Sequence, residues 1–133
     1  MTTQARREFR LPELSEPVSH YTDAVSFGRL LFVSGRVGID AGSQTVPDDV
    51  VDQARLAFAD IGRILDAAGA SFADVLKVTV FLTDINDRPK INSVRREFFG
   101  PHRPASTLVE VSRLVRPEAK VEVEAIVGIP EQR

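Results

Sequence analysis

The segment Pro104–Ile126, PASTLVEVSRLVRPEAKVEVEAI, constrains the fold most, because it holds two runs of alternating polarity joined by a short charged loop. A period of two is the mark of a strand. In the second run Val121, Val123, Ala125 and Val127 share one face, and Glu122 and Glu124 share the other. In the first, Thr107, Val109 and Val111 alternate with Ser106, Leu108, Glu110 and Ser112, so polar and apolar groups mix. Such a face is either wet or lines a site. Glu122 is therefore a candidate for chemistry, set against the plain alternative of a solvated strand residue.

The remaining elements follow in chain order. Residues 1–17 read as an irregular lead with an edge strand near Phe9, broken by Pro12 and Pro17. AVSFGRLLFVSGRVGI reads as two strands turning at Phe27-Gly28-Arg29. Its run Leu30–Val33 is continuously apolar, as in a strand buried on both faces, and stops at Ser34-Gly35, where glycine permits close backbone approach. From Asp48 to Ala68 apolar residues recur at helical spacing, with Asp48 or Asp49 as cap and Gly69 as stop. DVLKVTVFLTD is β-branched and apolar on both faces, a central strand, so the intervening helix is expected to cross over between parallel neighbours. A second helix is expected from Arg88 to Phe99, capped by Asp87 and ended by Gly100-Pro101, with Ile91, Val94 and Phe98 on one face. The sum is an α+β fold, one mixed sheet with two helices on one face. Two helices leave the other sheet face bare, and association through that face is expected.

At 133 residues, with no repeat or linker, the chain is expected to form a single domain, small for enclosing a substrate unaided. The 17 basic and 19 acidic residues give a net charge of -2, which does not favour nucleic acid. No cysteine is present, which removes disulfides, thiolate nucleophiles and zinc–cysteine sites. His20 and His102 are too few for a metal set or a nucleophile–base pair. The start carries no signal-like apolar run and no segment is long enough to span a bilayer, so a cytoplasmic protein is expected.

Several stretches, taken in order, resemble the reactive intermediate deaminase family, the Rid or YjgF-type proteins. They are LLFVSG at 30–35, VDQARLAFADIGRILDAAGAS, VLKVTVFLTDI, the helix with Asn92 leading to EFFG, PASTLVEV, and VEVEAI. The resemblance runs from about Tyr21 to Val127. It implies a chorismate-mutase-like fold and a homotrimer with small-molecule sites in the clefts between subunits. It also implies hydrolysis of enamines and imines, such as 2-aminoacrylate, to the keto acid and ammonia, with no metal or organic cofactor. Position by position it assigns Glu122 to holding water and Tyr21, Ser34, Gly35 and Asn92 to the pocket.

One position departs from the family pattern. The segment PAR, whose arginine clamps a substrate carboxylate, is PAS here, with Ser106 in the arginine's place. Serine offers one neutral donor where arginine offers a charged fork. Arg103 lies an odd number of residues from Ser106 and points away if the strand already runs there; Arg36 shares the face of Ser34 if its strand persists, and then reaches the cleft. The bland alternative for Arg36 is a solvated charge beyond a strand end. Two function classes follow: a deaminase acting on an imine or enamine other than the usual 2-imino acid, or a trimeric protein that binds a metabolite without turnover. A ribonuclease or translation inhibitor fits the acidic balance least.

Overall fold

The computed structural model describes residues 5–131. Its elements are β1 (Arg6–Phe9), β2 (Ala24–Phe27), β3 (Leu30–Val37), α1 (Val50–Ala67), β4 (Val75–Leu82), α2 (Arg88–Phe99), β5 (Ala105–Glu110) and β6 (Val121–Gly128). One mixed sheet runs in the order β1-β2-β3-β6-β4-β5. The β2–β3 turn has two residues, with Gly28 at φ 62°, the sign a tight hairpin wants at its first central position. Asp49 occupies the cap position of α1, and Gly69 follows its end at φ 75°. Asp87 precedes α2 but makes no side-chain cap; its carboxylate accepts from Lys90 Nζ at 3.0 Å instead. Of the lead expected over residues 1–17, β1 is the edge strand, and residues 1–4 lie outside the described part. No helix among the described residues is long and apolar enough to cross a membrane.

Two pairing expectations are corrected. β3 and β4 run parallel but are not neighbours, because β6 lies between them, antiparallel to both. The helix that does join adjacent parallel strands is α2, between β4 and β5. Nor is the Leu30–Val33 run buried on both faces: Leu31 and Val33 are buried, whereas Leu30 and Phe32 are 44% and 47% exposed. The strand also continues past Ser34-Gly35, through a bulge, to Val37.

The core lies between the helices and one sheet face. Leu31, Val33, Val78, Val80, Val121, Val123 and Ala125 meet Ala54, Phe58, Ile61 and Ile64 of α1 and Ile91 and Val94 of α2. Phe58 anchors it, stacked on Phe98 at 5.7 Å between centroids and edge-on to Phe99 at 5.8 Å. The opposite face is bare. Phe27, Leu30 and Phe32 share it through their pairings, and all are substantially exposed.

A buried amide fixes where β6 begins. Gln53 of α1 donates from Nε2 to the carbonyls of Pro47 at 2.7 Å and Glu118 at 3.2 Å, and accepts at Oε1 from the Lys120 N–H at 2.7 Å. Gln53→Leu strands all three backbone groups. It is expected to lower the unfolding free energy by about 2 kcal/mol in urea denaturation. An unchanged midpoint would mean that water replaces the amide.

Candidate functional site

A cleft of about 570 Å³ opens beside the bulge in β3, and Tyr21, Ser34, Gly35, Arg36 and Glu122 all line it. The bulge makes the arrangement. Val33 pairs with Ala125 and Arg36 with Val123, so Ser34 and Gly35 together oppose a single residue of β6. This extra residue inverts the alternation beyond it.

Glu122 projects from the helix-free face of β6 and lies across Gly35. A Cβ built on Gly35 would overlap Glu122 Oε2 and stand 2.9 Å from its Cδ, so only glycine leaves the carboxylate room. The side chain is half-buried. Burial pushes its pKa above the ordinary glutamate value; Glu124 on the same face adds to this, and Arg36 opposes it. A carboxyl poised above its usual range is suited to taking a proton from water.

Ser34 and Tyr21 shape the cleft. Ser34 Oγ donates to the Thr22 carbonyl at 2.6 Å, and its backbone N–H donates to the Asp23 carbonyl at 3.0 Å. Both donors are thus occupied within the chain. Tyr21 is 48% exposed, its hydroxyl 3.4 Å from the Val18 N–H.

Arg36 does not share the face of Ser34. The bulge turns it to the helix side, where Nη1 meets Asp23 Oδ1 and Nη2 meets Asp60 Oδ2, both at 3.2 Å. Asp23 is fully buried and also accepts from Arg10 Nη1 at 2.9 Å and the Leu11 N–H at 2.8 Å. Burial raises the pKa of Asp60, against the pull of Arg36. Arg36 therefore stiffens the cleft wall with its charge already matched. Arg103 is exposed and does not line this cleft.

Asn92 and Ser106 lie elsewhere. Ser106 pairs with Val78, which places it on the helix-covered side of β5, whereas Glu122 pairs with Phe81 on the bare side. Strands β6 and β4 separate β5 from β3. Asn92 sits half-buried on α2, the helix whose Arg95 reaches Ser106 Oγ. One chain thus holds the candidate residues in two groups on opposite faces of its sheet.

Sequence reasoning missed the Asp23–Arg36–Asp60 network, because an isolated aspartate in a helix or loop reads as solvated. It missed Val18 and Val115 too, which are 62% and 77% exposed and form apolar walls of the cleft. A valine inside the charged loop SRLVRPEAK was the available signal. His20 and His102 are both exposed. Glu110 serves structure, accepting from the Ile85 N–H at 2.9 Å.

Comparison with known proteins adds a lineage to this geometry. A family model described as Endoribonuclease L-PSP matches residues 13–129. A RutC family protein of Pyrococcus horikoshii is 44% identical over 84% of this chain and 88% of its own length. A 2-iminobutanoate/2-iminopropanoate deaminase of Capra hircus is 38% identical over 95% of this chain and 92% of its own. The crystal structure of Escherichia coli TdcF with bound serine superposes with a TM-score of 0.78 at 37% identity, covering 96% of this chain and 95% of that one.

Proposed function

The chain belongs to the Endoribonuclease L-PSP family, the Rid or YjgF-type proteins, and from that membership and the two-part site we propose that it is a hydrolytic deaminase of imines or enamines. The observation that carries this reading is the Glu122 carboxylate lying over Gly35, half-buried, with its pKa raised, in a cleft of small-molecule size. The named activity of the Capra hircus relative and the serine held by TdcF support a small amino-acid-like substrate. Its acidic balance, -2 overall, fits RNA poorly.

In the proposed reaction water adds to the imine carbon while Glu122 accepts one of its protons. That proton passes to the nitrogen to give the carbinolamine; Glu122 then takes the hydroxyl proton and hands it to the same nitrogen as the C–N bond breaks, so that a carbonyl compound and ammonia leave and the carboxylate is regenerated. Glu122 must be ionised to begin. Its partners on the substrate come from a second copy, because Asn92 and Ser106 cannot reach the Glu122 cleft within one chain. We place the site between subunits of a homotrimer, and the bare apolar sheet face with Phe27, Leu30 and Phe32 supports such packing.

Ammonia release from 2-iminobutanoate, generated in situ by an amino-acid oxidase, tests the reading. Glu122→Gln is expected to reduce kcat by about 100-fold to 10,000-fold. Wild-type activity should fall as pH drops through the raised pKa, above the ordinary 4.5 of a glutamate, and the variant should lack that limb. The sign for stability is opposite. A group whose pKa is raised by folding stabilises the fold below its unfolded value and loses that contribution as pH rises through the folded one. At neutral pH, therefore, Glu122→Gln should be no less stable than wild type. Full activity in the variant would remove Glu122 as the base, and an inert wild type that binds 2-oxobutanoate would leave a binding protein without turnover.

A further inference from the structure

Four arginines among the described residues are buried or half-buried: Arg10, Arg36, Arg95 and Arg116. Withdrawing a guanidinium from water is costly unless a negative charge accompanies it. Three of the four have one. Arg10 meets Asp23 and Glu16, Arg36 meets Asp23 and Asp60, and Arg116 meets Glu118. Arg95 has no carboxylate partner among the described residues; its Nη2 donates to Ser106 Oγ at 2.8 Å, a neutral acceptor. Burial disfavours its charged form, and Arg88 disfavours it further.

The surroundings of Arg95 are those of an anion site. Arg88, Asn92 and Arg95 are spaced four and three residues apart on α2 and so share a helix face. Asn92 adds amide donors, and the Ser106 hydroxyl, once it accepts from Arg95, has its own proton free to give. A planar guanidinium with neutral donors around it fits a carboxylate.

We propose that Arg95, held in place by Ser106, binds the carboxylate of a 2-imino acid presented to the Glu122 cleft of a neighbouring copy. This rests on the deaminase reading for the identity of the substrate, though the anion site itself does not. The neutral subsite expected from Ser106 alone is then charged, by an arginine that comes from the helix instead of the strand. The substrate supplies the counter-charge that Arg95 lacks, and an imine without a carboxylate leaves it unmatched.

Two measurements separate the site from the reaction. In calorimetric titration with 2-oxobutanoate, a stable carboxylate of the same skeleton, Arg95→Gln should bind at least about 10-fold more weakly than wild type, with Arg95→Lys between them. Butanone, which lacks the carboxylate, should not distinguish the three. In the ammonia assay Arg95→Gln should raise KM by a similar factor with a smaller change in kcat, and Arg95→Gln/Ser106→Arg should recover KM. Removing an unmatched buried charge should leave the melting temperature of Arg95→Gln unchanged or higher, so misfolding does not cloud the result. Equal 2-oxobutanoate affinity in wild type and Arg95→Gln, or no binding by either, overturns the proposal. Arg95-dependent binding without ammonia release keeps the anion site and removes the deaminase; ammonia release indifferent to Arg95 does the reverse.

Discussion

Gly35→Ala is expected to lower kcat/KM for imine hydrolysis by roughly 100-fold or more while the fold survives. The methyl group's three nearest contacts are side-chain atoms, Oε2, Cδ and Cγ of Glu122. Because that side chain is long and only half-buried, it can swing away at small cost, and what is lost is its position over the cleft. A displaced base costs rate far out of proportion to the distance moved. The same reasoning predicts how the two substitutions combine. If Gly35→Ala acts by moving Glu122, then Gly35→Ala/Glu122→Gln should be little worse than Glu122→Gln alone. Additive losses, or a collapse in melting temperature, would mean that Gly35 serves the bulge and not the carboxylate.

Local signals made the elements legible, and long-range ones hid the site. The helix Arg88–Phe99 was readable to its ends because Asp87 and Gly100-Pro101 mark them within a few residues. Alternation in Val121–Val127 told which side chains face the core, and Glu122 was identified on that basis. Nothing in that alternation says that β6 inserts between β3 and β4, since strand adjacency depends on residues some ninety positions apart. The bulge at Ser34-Gly35 was legible only as a glycine near a strand end, and it inverted the face assigned to Arg36. Arg95 escaped notice for a related reason. Within RREFF it looks like one of several solvated cations, and its approach to Ser106 exists only because α2 packs across β5's edge. Of the two groups into which the site divides, the sequence showed residues of both but not that a sheet separates them.

Arg36→Met should cost about 3–5 kcal/mol of unfolding free energy, a large share of what a chain this size possesses. The substitution keeps the volume and stem of the side chain but leaves Asp23, fully buried, and Asp60, mostly buried, without their shared cation. Arg10 still reaches Asp23, and Arg63 still reaches Asp60 from a more exposed position, so neither carboxylate is wholly abandoned. The loss should depend on pH. Asp60 already has a raised pKa in the folded protein, so its contribution favours the fold below its unfolded value and fades as pH rises through the folded one. Removing Arg36 raises that pKa further. The gap between variant and wild type in denaturant titrations should therefore be widest at neutral pH and narrow as the solution is acidified toward the carboxylate range. Arg36→Met/Asp60→Leu should regain part of the loss, because a pair removed together leaves less unmatched charge than one partner removed alone. The network ties β3 to α1 at the bulge that carries Gly35, so the single variant should also lose deaminase activity beyond its unfolded fraction. A pH-independent loss of under about 1 kcal/mol would show instead that water reaches both carboxylates and that the bulge holds its shape without them.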